Sequence, residues 1–309
     1  MFYAKDFIET AEGLVFAVVA SGIEQGKVLC FLRYVRKSPG WKKLSTEQAN
    51  ALLKQHHRDY LHYSTVLDTF LHAVPVEKIV NHHQPKQRLQ QLMQASQHDA
   101  VERDLLQLAK LFQQHGLNLT QTGITGSILI SAQNRHSDID WVCYGRTVFH
   151  QCRAITRELI KQGQLSELSD TDWQHAYQRR SAELSFADYV WHERRKCNKA
   201  VINGRKFDLN FIDPSEQSDT THYRKCAAVT LRCKITDDTH AFDYPALFAV
   251  DHEEISTIAS FTATYTGQAI TGETIEVSGT IEQAGHGTKR IVVGSSREAQ
   301  GEYIKVIHD

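Results

Sequence analysis

No stretch of this chain is long and apolar enough to span a bilayer as a helix. The longest continuous apolar run, Leu14 to Ala20, falls well short of the ~20 residues that a spanning helix needs. The opening text, MFYAKDFIETAEG, carries Asp6 and Glu9 and lacks the apolar stretch of a secretion signal. Six cysteines (Cys30, Cys143, Cys152, Cys197, Cys226 and Cys233) contain no CxxC pair. They read as reduced, mostly buried thiols of a cytoplasmic protein and not as a disulfide framework. Neither sign of charge dominates: 35 Lys plus Arg stand against 36 Asp plus Glu, for a net charge of −1. That excludes a uniformly basic nucleic-acid coat and an acidic tail protein. Repeats of fixed period and low-complexity tracts are absent as well. The 17 histidines are spread along the chain, and pairs such as His56–His57 and His82–His83 lie among Gln and Lys without the spacing of a metal cluster.

What is present is the material of a packed core, with a hydrophobic share of 41% over 309 residues, enough for two or three domains. The pattern predicts an α+β protein in three parts, 1–95, 96–221 and 222–309. The first opens with a hairpin, in which Leu14–Val19 and Val28–Tyr34 flank a turn at Gly22 and Gly26. Ser45-Thr46-Glu47-Gln48 then resembles a capping box that starts a helix. In the second part, Val101, Leu105, Leu108, Leu111 and Phe112 recur at helical spacing, and Gly116 ends that helix. A β-rich stretch from Leu117 to Tyr144 follows, then a helix near Val148–Gln162 and a helical portion from Thr171 to about Lys196. Asn203-Gly204 marks a second hairpin, between Ala200–Ile202 and Lys206–Ile212. The third part is a series of short strands separated by glycine, the pattern of a small barrel or sandwich.

The chemistry concentrates in Thr122-Gly123-Ile124-Thr125-Gly126-Ser127, followed after ten residues by Asp138-Ile139-Asp140. On a strand, Asp138 and Asp140 share a face. Two neighbouring carboxylates repel unless a cation sits between them, and Mg²⁺ takes such hard oxygen ligands while sharing its shell with substrate phosphates. Asp208 lies on a later strand among Phe207, Leu209 and Phe211. It points away from those apolar residues and joins the first pair if the two strands are neighbours. Gly126 allows close backbone approach to an anion, and the Ser127 hydroxyl can bind phosphate oxygens.

Gly126, Ser127, Asp138, Asp140 and Asp208 together resemble the signature of the DNA-polymerase-beta-like nucleotidyltransferase superfamily. Over its full length the chain is also similar to a poorly characterised, largely archaeal group of predicted nucleotidyltransferases. The segments that carry this likeness are FAVVA, VLCFLRY, YVWHERRKCNKAVINGRKFDLNF, SFTATYTGQAITGE and SREAQGEYIKV. The resemblance implies a nucleotidyltransferase-type mixed sheet with flanking helices over 96–221, between an N-terminal hairpin-plus-helices module and a C-terminal β-rich domain. It implies two Mg²⁺ ions, with Mn²⁺ as a substitute, held by Asp138, Asp140 and Asp208 as metal ligands and catalytic residues. It also implies a nucleoside triphosphate such as ATP gripped by Gly126 and Ser127. Thr125 departs from the pattern, because many members carry a second glycine there.

Arg194, Arg195, Lys196, Lys199, Arg205 and Lys206 form a basic run without an acid just before Asp208. Of these, Arg194, Arg195, Lys199 and Lys206 are the expected nucleotide-binding cations. A second run, Arg224, Lys225, Arg232 and Lys234, follows His222. The expected reaction is attack by an acceptor hydroxyl on the α-phosphate with release of pyrophosphate. The acceptor is left open between an RNA or DNA end, a protein and a small molecule. Two other readings stand beside it. One is a non-catalytic nucleotide- or RNA-binding protein that keeps the fold. The other is a metal-dependent phosphohydrolase with His136 as its nearest base.

Overall fold

The computed structural model describes residues 1–64, 69–180, 183–215, 221–285, 287–294 and 300–308. Residues 296–299, part of one segment quoted for the resemblance, therefore lie outside the described residues. The protein is α+β, with three sheets and six α-helices among the described residues. It divides into two compact units, Met1–Ser166 with Ala200–Ser218, and Glu167–Lys199 with Asp219–Asp309.

The first unit begins with an antiparallel sheet of β1 (Phe7–Thr10), β2 (Leu14–Val18), β3 (Lys27–Arg36), β4 (Trp41–Lys43), β5 (Leu61–Ser64), β6 (Thr69–Pro75) and β7 (Ile79–His83). Its order is β5-β6-β3-β2-β1-β7, with β4 paired to β3. The expected hairpin is β2–β3. Helix α1 (Thr46–His56) starts at the expected capping box, in which Gln48 N–H donates to Ser45 Oγ and Ser45 N–H to Gln48 Oε1. Its Ala49 and Leu53 bury against Ile8, Phe16, Val28, Cys30 and Leu32 on one face of the sheet. The other face presents Phe7, Val15 and Tyr34, packed with Leu129 and Ile130. Tyr34 reaches that face through a bulge. Val15 pairs with Tyr34 and Phe16 with Leu32, which leaves Arg33 as the extra residue and flips the alternation.

Four strands make the second sheet: β8 (Thr122–Thr125), β9 (Ile139–Tyr144), β10 (Lys199–Ile202) and β11 (Arg205–Ile212), in the order β10-β11-β9-β8. β11 runs parallel to β9 and β8 antiparallel to it, so the sheet is mixed. Three helices accompany it: α2 (Pro85–Gln94), α3 (Ala100–Gln114) and α4 (Arg146–Lys161). α3 and α4 cover one face. Phe112 of α3 meets Trp141 and Phe207 edge-on, and from α4 Phe149 packs on Phe211 and Cys152 lies 3.4 Å from Cys143. The Gln-rich text ahead of α3 is itself α2, a short helix with Pro85 in its first turn. Gly123 is what lets α2 lie on β8, since a Cβ there would stand 2.6 Å from the Pro85 carbonyl carbon.

In the second unit, α5 (Asp170–Arg180) and α6 (Phe186–Lys196) accompany a sheet of β12 (Tyr223–Asp237), β13 (Ala246–Asp251), β14 (Ile255–Ser260), β15 (Thr274–Ala284), β16 (Lys289–Val293) and β17 (Tyr303–Val306). The strand order is β12-β13-β14-β16-β15-β17, with a further pairing of β12 to β15. The helical portion expected from Thr171 to Lys196 is therefore two helices. Ser185 starts the second by accepting from Asp188 N–H.

Candidate functional site

Parallel pairing of β9 and β11 sets Asp208 directly opposite Asp140, with Phe207 opposite Ile139 and Leu209 opposite Trp141. The odd positions bury under α3 and α4. The even positions, Asp140 and Asp208, are half-buried on the other face. Further along that face, Val142, Tyr144 and Ile212 pack with Tyr3 of the N-terminal segment. Gly126 follows β8, at the start of a short helical turn, and lies against the Asp140 carboxylate. Its φ is +70°, and a Cβ there would come 2.1 Å from Asp140 Oδ2. Both constraints demand glycine. Ser127, half-buried, is the next residue of that turn.

The three acids do not all behave as expected. β9 begins at Ile139, so Asp138 sits outside the strand alternation, exposed on the preceding loop. That loop is closed by Asn134, whose backbone N–H donates to Ser137 Oγ and whose carbonyl accepts from Ser137 N–H. Among the described residues, no group of three His, Cys, Asp or Glu side chains is arranged to hold a metal ion by itself. What the structure brings together is the pair Asp140–Asp208, with Asp138 near enough to add its charge. Desolvation, then the charge of Asp208, raises the Asp140 carboxyl to about 6, and Asp138 pushes in the same direction. The donor set is hard oxygen carrying surplus negative charge. It fits a divalent cation whose remaining positions are filled by water and substrate oxygens, which is how Mg²⁺ is commonly bound.

The expected nucleotide-binding cations separate. Lys206 lies on β11 two residues before Asp208 and shares its face by alternation. Arg194, Arg195 and Lys199 belong to the second unit, and each is met by acids there. Arg194 is 3.4 Å from Glu167 and from Asp170. Arg195 pairs with Glu273 and stacks on Trp191. Lys199 lies 2.6 Å from Glu193, whose other oxygen takes the buried Lys196. Arg205 serves as a cross-link, its guanidinium donating to Asp104 (2.8 Å) and to the carbonyls of Arg135 (3.1 Å) and Ser137 (2.7 Å). It thereby ties the loop before Asp138 to α3. His136, on the same loop, is exposed and accepts from Arg135 Nε.

One contributor has no local sequence signal. Thr125, the departure from the glycine pattern, is buried, and its hydroxyl donates to the Lys5 carbonyl at 2.6 Å. Thr125 is also the register partner of Asp140. The N-terminal segment is thus fastened beside the acid pair, and the charges of Asp140 and Asp208 act on the Lys5 ammonium. Desolvation outweighs them and lowers the Lys5 pKa. No motif names this lysine, because 120 residues separate the bonded partners.

No family model matches the chain, and no solved structure matches it. It is similar to the uncharacterized protein MJ1086 of Methanocaldococcus jannaschii, at 31% identity over 98% of this chain and 98% of that protein.

Proposed function

The chain belongs to one family with that archaeal protein, and from this premise and the geometry of the acid pair we propose that it is a Mg²⁺-dependent nucleotidyltransferase. The observation that carries the reading is the register of Asp140 on Asp208, with Gly126 pressed against the Asp140 carboxylate. A glycine turn at the end of one strand, beside a carboxylate pair on the two neighbouring strands, suits a phosphate chain that shares a divalent cation with the acids. The four-stranded mixed sheet with α3 and α4 on one face agrees with the nucleotidyltransferase-type domain that the resemblance implies. The double pairing of β12 supports reading the C-terminal strands as a small barrel.

In this reading Asp140 and Asp208 hold Mg²⁺ or Mn²⁺, with Asp138 joining from its loop. The bound cation would neutralise phosphate charge and stabilise the attacking and leaving oxygens. Asp208, on the open face of β11, orients the acceptor hydroxyl and takes its proton. Gly126 and Ser127 offer a small residue and a hydroxyl to the triphosphate oxygens, and Lys206 adds positive charge from the same face as Asp208. The acceptor attacks the α-phosphorus, the nucleoside monophosphate is transferred and pyrophosphate leaves. The nucleoside triphosphate and a hydroxyl acceptor, with an RNA end among the candidates, are the partners. A cytoplasmic setting agrees with the free thiols.

Incubation with each α-labelled nucleoside triphosphate, Mg²⁺ or Mn²⁺, and mixed RNA, protein and small-molecule acceptors tests the proposal. Label transfer is expected, and Asp208→Asn is expected to lower it by about 100-fold or more. Transfer that survives in Asp208→Asn overturns the site. Release of orthophosphate without transfer points to hydrolysis instead.

A further inference from the structure

Beside Lys206 on β11, further cations come toward the acid pair from the N-terminal part of the chain. Three are involved, and the backbone fixes each. Lys5 precedes β1 in the left-handed region, at φ 75°. Its N–H donates to the Val18 carbonyl at 3.0 Å, and its carbonyl accepts from the Thr125 hydroxyl. Arg33 is the extra residue of the β2–β3 bulge, a device that re-aims a side chain. Lys43 is the β4 partner of Tyr34. Tyr34 shares a packed cluster with Leu129 and Ile130, which follow Gly126 and Ser127, and Trp41 packs against that cluster. The stretch from Arg33 to Lys43 holds Arg33, Arg36, Lys37, Lys42 and Lys43 and no acid. Within it Arg36 is already engaged, by Glu9 and by the Trp41 ring.

Lys5 and Lys43 lie within electrostatic reach of Asp140, Arg33 lies within reach of Lys5, and Arg33 and Asp140 both act on Tyr34. Lys5 and Lys43 act on Asp140, Asp140 and Asp208 act on Lys5, and Arg33 opposes the charge of Lys5. None of the three forms an ion pair with a described residue. The mutual repulsion of Lys5 and Arg33 costs stability. A multiply charged anion relieves that cost, and Lys and Arg bind phosphate oxygens through charge and directed hydrogen bonds. Cations of the N-terminal part thus act on carboxylates of the second sheet without forming an ion pair with them among the described residues. That is the layout for a phosphate chain bound on one side by cations and on the other through a divalent ion.

We propose that Lys5, Arg33 and Lys43 form the polyphosphate clamp of this site, supplied by the N-terminal sheet. The identification of that polyphosphate as a nucleoside triphosphate rests on the nucleotidyltransferase reading. The clamp itself rests on the three cations.

Calorimetric titration of the full chain with inorganic tripolyphosphate in the presence of Mg²⁺ tests it. The proteins compared are the wild type, a Lys5→Gln/Arg33→Gln/Lys43→Gln variant, and a Lys110→Gln control on the exposed side of α3. Each cation is expected to be worth about tenfold in affinity, so the triple variant loses binding by at least about 100-fold while the control is unchanged. Single Lys43→Gln and Arg33→Gln variants, each expected to bind about tenfold more weakly, carry the test if the triple variant melts early. No binding by the wild type, or equal affinity in the folded variants, overturns the clamp. Nucleotide transfer with an unaltered KM in the variants sinks the clamp and leaves the nucleotidyltransferase reading standing. Binding lost in the variants, with no transfer by the wild type from any triphosphate, does the reverse.

Discussion

Two buried histidines illustrate what single residues contribute apart from the site. His72 accepts from Leu32 N–H at Nδ1 (2.9 Å), and its Nε2 faces Asn50 Oδ1 (2.8 Å). His192 accepts from Val306 N–H at Nε2 (3.0 Å), and its Nδ1 donates to the Asp188 carbonyl (2.7 Å). In each ring one nitrogen must keep its lone pair, so only the neutral form satisfies both partners. Burial accordingly lowers both to about 4. A folded pKa below the unfolded one gives stability that is present above about 6.5 and lost as the pH falls through about 4. His192→Gln should therefore destabilise the protein by about 2–3 kcal/mol at pH 7.5, read from the urea midpoint. The difference from the wild type should shrink toward zero near pH 4. A difference that stays constant across this range would show that the histidine acts by packing alone. Neither ring announces itself in the sequence, where His72 is one of 17 histidines and its Leu32 partner lies 40 residues away.

At the scale of elements, the candidate site depends on where β9 begins. The Asp-x-Asp spacing suggests a strand through both acids, yet Asn134, Ser137 and Arg205 hold residues up to 138 in a loop. Arg205 contributes most to this. Its bonds to two loop carbonyls and to Asp104 join β11, the loop and α3. Arg205→Gln removes three charge-assisted bonds at a partly buried position and should cost about 2 kcal/mol. It should also speed amide exchange at residues 134–138, measured by mass spectrometry. Unchanged protection there would mean that the loop is held by its own turn. The sequence places Arg205 in a basic run beside Asp208, next to the expected nucleotide-binding cation Lys206. Its actual partners are a carboxylate 101 positions away and carbonyls about 70 positions away, which composition cannot reveal. The helices were more legible. The capping box at Ser45 and the spacing of Val101, Leu105, Leu108 and Phe112 are local signals, and local signals survive in the fold. α2 escaped because its Gln-rich text gives little apolar contrast.

On the scale of the first unit, the N-terminal sheet and the sheet carrying the acids form one body. α3 and α4 cover one face of the acid-bearing sheet, while Tyr3, Phe7, Val15 and Tyr34 pack against apolar groups on its other side. A chain starting at residue 96 would expose Leu129, Ile130, Val142, Tyr144 and Ile212 together. It should aggregate on expression, whereas the full chain stays soluble; a soluble, monomeric 96–309 fragment by size-exclusion chromatography would contradict this packing. The near-zero net charge is likewise a sum of unlike parts: residues 194–206 carry six cations and no acid, and residues 235–309 carry twelve acids against four cations. Ion pairs inside the second unit absorb the cations at Arg194, Arg195 and Lys199, so local charge density in the sequence does not locate free positive charge. By itself the sequence determined the α+β class, most helix starts and the Asn203-Gly204 hairpin, and it singled out Gly126, Asp140 and Asp208 as candidates, because alternation, capping and turn chemistry act over a few positions. Only the tertiary structure decided that Asp208 stands opposite Asp140, that Asp138 leaves the strand and that Thr125 fastens Lys5 beside the acids. Register between distant strands and the burial of one sheet face against another are set by packing across the whole unit, and no short window of sequence contains them.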